Sequence, residues 1–264
     1  MKKYGVIGNP LHHSYSKAYF NEKFQEFAID ASYENYLLPT INDLTQVLDT
    51  TENLCGLNVT IPYKEQVMQF LDEIDEEAKE IGAVNVIKIT EKNGKRFLKG
   101  YNSDWFGFTE SIKPLLKPHH THALILGTGG ASKGILYALK KLNIQTQYVS
   151  RDASKGLTYK QLTKEIMQQH SIIINTTPVG TFPAVKTCPP IPYHFLTDKH
   201  LVYDLIYNPI RTLFLHQAET RGATTCNGWQ MFLNQAHKAY VLWEGIDLIP
   251  TKKTTEKESN IQKK

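Results

Sequence analysis

In "GLNVTIPYKEQ", residues 56–66, a carboxamide, a hydroxyl and an ammonium gather where an apolar stretch ends. Asn58, Thr60 and Lys64 together suit a polyhydroxylated ligand, with Lys64 as proton donor or acceptor. A lysine does that work when its pKa is brought toward the working pH or when a partner holds it. Asp104 in "GYNSDWFGF" is a candidate partner, and it follows the polar run Tyr101-Asn102-Ser103. Ser14 and Ser16 in "HHSYSKAYFN" make a third cluster and Asn85 in "GAVNVIK" a fourth. Singly, each has an ordinary explanation: a helix cap for Ser14 or Ser16, a turn residue for Asn85, surface charge for Lys64. Together they fall where strands end or just after, the place where open α/β sheets hold ligands.

A different chemistry is written into "LILGTGGASKG", residues 124–134. Gly127 allows a tight turn. Gly129 lets backbone approach a pyrophosphate. Gly130 and Ala131, with Thr128 in the same loop, keep the helix entrance open so that backbone amides point at the anion. The spacing departs from G-x-G-x-x-G, because Ser132 takes the third small position; the strand before and the helix after are the context such a loop requires. At the end of the next strand stand Ser150 and Arg151, with Lys155 four residues on. A guanidinium and an ammonium fit a ribose 2′-phosphate, whereas an acidic residue there would accept from a free diol. Asp152 is the one acidic neighbour. The pattern favours NADP over NAD.

These groups need elements to carry them. "YGVIG", "SYENYLL" and "LNVT" are expected as strands, and the segment around Tyr19, Phe20, Lys23, Phe24 and Phe27 and "INDLTQVLD" as helices. "KEQVMQFLDEIDEEAKEIGA" places Val67, Phe70, Leu71, Ile74, Ala78 and Ile81 on one face of a single long helix. "VNVIKI" and "RFLKG" flank Asn93-Gly94, a hairpin signal. From Asp104 onward strands and helices alternate, with "LTYKQLTKEIM" expected as one helix and 227–245 as a last amphipathic helix. Strands separated by helices predict a mostly parallel sheet.

Composition narrows the classes. A chain of 264 residues with 41% hydrophobic and 21% charged residues has the make-up of a globular protein with room for two domains. The net charge is +4, and away from the lysine-rich "TKKTTEKESNIQKK" tail it is close to balanced, so nothing points to nucleic acid. That tail, 251–264, is expected to be disordered. Cys55, Cys188 and Cys226 match no metal-ligand spacing and suit a reduced cytoplasm, as buried small hydrophobes. No apolar run has the length of a signal peptide or a membrane span.

"HSYS" with Asn21, "GLNVTIPYK", "GAVN", "GYNSD", "GTGGASKG", "NTTPVG", "DLIYNP" and "NGWQMFLNQA" occur in that order, over about residues 4–245. Their succession resembles the shikimate dehydrogenase family. The resemblance implies reversible, NADPH-dependent reduction of 3-dehydroshikimate to shikimate, in aromatic amino-acid biosynthesis. It makes Lys64 and Asp104 the catalytic pair. Ser14, Ser16, Asn58, Thr60, Asn85, Tyr207 and Gln235 become substrate residues, and Thr176 and Gly228 join the glycine loop, Ser150, Arg151 and Lys155 in the cofactor site. No metal is implied. Several positions depart from the family's pattern: Lys17 and Phe20 stand where Pro and His are common, Val86 and Ser103 where Thr is, Thr181 where Met is, and Thr128 where Ala is. None removes a group with an implied role.

The expected fold class is α/β in two domains. Residues 1–103, completed by 237–250, would bind the substrate, and 104–236 would form a Rossmann-like NADP domain. The expected partners are small molecules, with neither nucleic acid nor membrane, for a cytoplasmic monomer or homodimer. Two other readings stand at this point: a quinate/shikimate dehydrogenase using both cofactors, and a non-catalytic sensor of shikimate and NADP.

Overall fold

The computed structural model describes residues 1–11 and 15–248. Ser14 and the tail at 251–264 lie outside the described residues. The chain divides into two compact units, Met1–Ser103 with the chain from Gln235 onward, and Asp104–Asn234.

The first unit contains β1 (Lys2–Gly8), α1 (Ser16–Glu26), β2 (Ala31–Leu37), α2 (Leu44–Thr50), β3 (Leu54–Val59), β4 (Glu73–Ile74), α3 (Glu76–Ile81), β5 (Val86–Lys92) and β6 (Lys95–Tyr101). Its sheet runs β2-β1-β3-β5-β6-β4. β1 pairs parallel with β2 and β3, while β5 pairs antiparallel with β3 and β6. Asn93 and Gly94 take positive φ, 55° and 72°, as a two-residue hairpin with right-handed strand twist requires. Leu57, Val59, Val67, Ala78, Val84 and Ile87 fill the core. Tyr4, Phe20, Phe24 and Tyr33 form an aromatic layer around Trp243, which stacks on Tyr4 at 4.9 Å. The Trp243 indole N–H, which must find a partner once buried, donates to the Ile87 carbonyl at 3.0 Å.

The long helix expected over 64–83 is not there. Gln66–Phe70 is a 3-10 turn, Glu73–Ile74 a short strand and Glu76–Ile81 a helix of its own. Two aspartates divide the segment. Asp72 exchanges backbone and side-chain hydrogen bonds with Leu98 on β6, its carboxylate accepting from the Leu98 N–H at 2.7 Å. Asp75 caps α3 by accepting from the Glu77 N–H at 3.2 Å. The helical spacing of the apolar residues was a property of burial, because Val67 is buried from the 3-10 turn and Ala78 and Ile81 from α3, with no one helix carrying all three.

The second unit contains α4 (Asp104–Ile112), β7 (His122–Leu126), α5 (Gly130–Lys141), β8 (Gln145–Val149), α6 (Lys164–Gln169), β9 (Ile172–Asn175), β10 (Leu201–Asp204), α7 (Leu213–Glu219) and β11 (Thr224–Cys226); α8 (Trp229–Glu244) starts there. The sheet is parallel throughout, in the order β11-β10-β9-β7-β8. Alternate residues feed two cores: Ala123, Ile125, Ile172, Ile174, Leu201 and Tyr203 on one face, Leu124, Leu126, Ile173 and Val202 on the other. A sheet buried on both faces reads as unbroken apolar runs, as "HALIL" and "IIIN" do.

The single helix expected from "LTYKQLTKEIM" is also divided. Tyr159–Gln161 is a 3-10 turn closed by a capping box, in which the Gln161 side chain accepts from the Thr158 N–H at 2.7 Å, and α6 starts afresh after Thr163. Threonine favours such caps because its hydroxyl competes for backbone N–H groups. The three residues of β11 are too few to give a periodic signal, and no strand was expected there. The cysteines are half-buried rather than buried, and all three are free. Cys226 sits on the edge strand β11, where one side of the ladder is uncovered.

Candidate active site

In the first unit the polar residues cluster at the C-terminal end of β3. Thr60 follows the strand, donates its N–H to the Ile7 carbonyl at 3.0 Å and lies against Gly8, where a Cβ would meet its methyl at 2.4 Å. Tyr63, buried, then fixes the segment that carries Lys64. Its hydroxyl donates to the Leu38 carbonyl at 2.8 Å, and the Lys64 carbonyl accepts from the Val84 N–H at 2.8 Å. Lys64 itself is half-buried.

Three of the residues expected at the substrate site are linked by hydrogen bonds, Asn58 to the main chain of Asn85 and the Asn85 side chain to Gln235. Asn58 Nδ2 donates to the Asn85 carbonyl at 3.3 Å, and Asn85 Nδ2 donates to Gln235 Oε1 at 3.2 Å and to Ser103 Oγ at 3.1 Å. Asn85 Oδ1 accepts from the Ser103 N–H at 2.6 Å. Asn85 is 3% exposed, so its amide could not stay there unpaired without costing roughly 1–3 kcal/mol. Ser16 opens α1 and joins none of these bonds among the described residues.

In the second unit, chain order reverses about β7, with β8 on one side and β9 on the other. The crevice at such a reversal is where doubly wound sheets bind nucleotides. Gly127 follows β7 with φ +104°, and a Cβ there would come within 2.9 Å of Thr176 Oγ1 and 2.8 Å of the Thr177 methyl, just after β9. Thr176 spends its hydroxyl on the Leu126 carbonyl at 2.7 Å, which ties the two strand ends together. Around Gly129 the space is open, with nothing within 4 Å of where a Cβ would stand. Gly129 is also the N-cap of α5, and no side chain caps that helix. Open space beside Gly129, before uncapped amides and with Gly130 and Ala131 half-buried in the first turn, fits a pyrophosphate.

Arg151 is exposed just after β8, and Ser150 accepts from the Asp152 N–H at 3.1 Å. The Asp152 carboxylate is committed to Ser154, accepting from its hydroxyl at 2.7 Å and its N–H at 3.0 Å, and those bonds hold its pKa below the ordinary carboxylate value. Lys155 lies 3.9 Å from it. Asp104 is the first residue of α4 and 4% exposed, an acidic group at the positive end of a helix. Tyr207 is half-buried against Trp229 and Phe232, with ring centroids 5.9 and 5.1 Å away. Gly228 abuts Leu205 so closely that a Cβ would lie 2.0 Å from its carbonyl oxygen.

Sequence reasoning passed over two residues that organise these ends. Tyr33 donates to Asn58 Oδ1 at 2.7 Å from a position with no exposure; nothing in "SYENYLL" distinguishes it from Tyr36. Asp204, also with no exposure, accepts from Thr212, Asn175 and the Ile206 N–H. It did leave a signal, as the lone acidic residue in the apolar run "LVYDLIY". Burial pushes its carboxyl up to about 7. Among the described residues, no group of His, Cys, Asp and Glu is placed to hold a metal ion, and no helix is long and apolar enough to cross a membrane.

Residues 6–87 match the family model for the shikimate dehydrogenase substrate binding domain. The NADP(+) shikimate dehydrogenase of Methanosphaera stadtmanae is 37% identical, over 91% of this chain and 90% of the relative. The chain belongs to the shikimate dehydrogenase family. The crystal structure of shikimate dehydrogenase from Aquifex aeolicus superposes with a TM-score of 0.82 at 32% identity, covering 95% of this chain and 94% of that one. That of the Thermus thermophilus enzyme, in complex with NADP(H) and shikimate, superposes with a TM-score of 0.81 at 28% identity, covering 94% and 95%. The α/β class expected from alternating strands and helices is thus that of the shikimate dehydrogenases.

Proposed function

We infer that this chain is an NADP-dependent shikimate dehydrogenase, interconverting 3-dehydroshikimate and shikimate. The observation that carries this reading is the hydrogen-bonded trio Asn58, Asn85 and Gln235 at the strand end that also carries Thr60 and Lys64. It is a prebuilt set of donors and acceptors for a polyol, beside an ammonium. In this proposal the unit of residues 1–103 with the end of α8 binds substrate, and the unit around β7–β11 binds NADP.

Bound NADPH supplies a hydride to the ketone carbon. Lys64 Nζ gives a proton to the oxygen that gains negative charge, so the ketone is reduced to a secondary alcohol and the lysine is left neutral. Asp104 accepts from a neighbouring substrate hydroxyl and fixes the ring's orientation. Asn58, Thr60, Asn85 and Gln235 bind the remaining hydroxyls, and Ser14, Ser16 and Tyr207 the carboxylate. Gly127, Thr128, Gly129, Gly130 and Ala131 hold the pyrophosphate, and Ser150, Arg151 and Lys155 the 2′-phosphate. Thr176 and Gly228 shape the nicotinamide end. The occupied state of Asp152 supports NADP, because a carboxylate bound to Ser154 is poorly placed to receive a ribose diol. The chain would work in the cytoplasm, as a monomer or homodimer.

Absorbance at the reduced-nicotinamide band tests the reading directly, with shikimate or quinate as substrate and NADP⁺ or NAD⁺ as acceptor. Rapid reduction with shikimate and NADP⁺ alone is expected. Comparable rates with quinate or NAD⁺ would move the chain to dual specificity, and no reduction in any pair would overturn the enzymatic reading.

A further inference from the structure

We propose that Tyr33 is a positioning residue for this reaction, setting Asn58 so that it offers the ligand an N–H donor and not an acceptor. The inference rests on Asn58 being a substrate residue.

The Asn85 carbonyl can only accept, so the Asn58 side chain must turn its Nδ2 toward it, which they do at 3.3 Å. Oδ1 is then directed to Tyr33, whose hydroxyl donates to it at 2.7 Å. Both ends of the amide are therefore assigned by chemistry. Of its two N–H groups, one goes to Asn85, and the other has no protein partner among the described residues. An oxygen acting as acceptor, from a ligand hydroxyl or carbonyl, is what that second N–H selects.

Tyr33 is itself held from three sides. It has no exposure to solvent. Its ring stacks on Phe20 at 4.7 Å with planes 8° apart. Asn21 closes a two-way amide clasp on its backbone, donating to the Tyr33 carbonyl and accepting from its N–H, both at 2.9 Å. Phe20 is one of the positions where this chain departs from the family's pattern, and it has a task here, to keep the Tyr33 ring flat and the hydroxyl aimed. A hydroxyl fixed this way holds Asn58 in place through Oδ1, while the acceptor-only Asn85 backbone carbonyl opposes the amide flip that would present that oxygen to the ligand.

Tyr33→Phe removes one oxygen and keeps the stack. With full-length protein, the KM for shikimate is expected to rise about tenfold, the size of one lost hydrogen bond to a buried acceptor. The KM for NADP⁺ should stay within about twofold, and kcat should change less than the shikimate KM. Combining it with Asn58→Ala makes a double-mutant cycle: Tyr33→Phe should add nothing once Asn58 is gone. Asn58→Asp, which keeps an acceptor for Tyr33 but has no N–H to give, should impair shikimate binding as much as Asn58→Ala, and this holds as a test should Tyr33→Phe fail to fold. An active wild type with an unmoved shikimate KM in Tyr33→Phe overturns the inference. So do equal effects of Tyr33→Phe with and without Asn58, or Asn58→Asp behaving as wild type. A wild type that oxidises no shikimate overturns the functional reading, and this inference with it.

Discussion

The Thr212 hydroxyl donates to the Asp204 carboxylate at 2.6 Å, at a site where neither residue is exposed to water. Through that carboxylate the ends of β9 and β10 and the start of α7 are tied together, because Asn175 and the Ile206 N–H share its other oxygen and Thr212 caps α7 through the Leu215 N–H. Asp204→Ala leaves these donors unsatisfied and is expected to cost about 2–4 kcal/mol in urea unfolding, with Asp204→Asn costing less because it keeps an acceptor. The pH dependence has a definite sign. Burial raises the folded carboxyl from 3.8 to about 7. The folded state therefore binds the proton more tightly, and this group's contribution falls as pH rises from about 4 through about 7, then levels off. The difference in unfolding free energy between wild type and Asp204→Asn, followed over that range, should show the slope; a difference independent of pH would refute it.

Lys64→Ala should lower turnover by roughly 10²-fold or more, the usual scale for losing an acid/base group. NADP⁺ affinity should be nearly unchanged, because the lysine belongs to the first unit and the glycine loop to the second. Steady-state kinetics with a fluorescence titration of NADPH separates the two. Near-native turnover would remove Lys64 from the mechanism.

Gly129 and Gly228 should respond in opposite ways to the same methyl group. A Cβ at Gly129 meets nothing within 4 Å, so Gly129→Ala should unfold like wild type yet bind NADP⁺ more weakly, the added group standing in the proposed pyrophosphate cradle. A Cβ at Gly228 would lie 2.0 Å from the Leu205 oxygen, and Gly228→Ala should destabilise by about 1–3 kcal/mol or more as backbone shifts. Thermal melts with and without NADP⁺ measure both. Unchanged NADP⁺ binding in Gly129→Ala would displace the cofactor assignment.

Arg151→Ala tests the choice of nucleotide. Loss of a charge-assisted hydrogen bond to a 2′-phosphate should raise the KM for NADP⁺ about tenfold or more and leave that for NAD⁺ almost unmoved. Equal effects on the two cofactors would show that Arg151 does not read the phosphate.

Much of this site was legible in one dimension. The groups with distinctive chemistry, Lys64, the glycine loop and Arg151, follow β3, β7 and β8, and Asp104 opens α4; local patterns mark such element ends well. Asn93-Gly94 announced its hairpin because few residues accept two positive φ values in succession. The segment 64–83 misled because apolar spacing reports burial and not hydrogen bonding. Two carboxylates three residues apart, Asp72 pairing with β6 and Asp75 capping α3, decided between one helix and three short elements.

What the sequence by itself determined is the inventory: the α/β alternation, the parallel second sheet, the glycine loop between strand and helix, and the family to which the chain belongs. These follow from local periodicity and from ordered motifs, which need no long-range contact to be read. The tertiary structure alone decided which polar groups meet. Asn58, Asn85 and Gln235, far apart in sequence, are joined by hydrogen bonds through the main chain and side chain of Asn85; Tyr33 donates to the first of them, and Asp204 binds two strand ends. A hydrogen bond fixes its partners to within a few tenths of an ångström, and that placement depends on strand order and register, which no window of sequence contains.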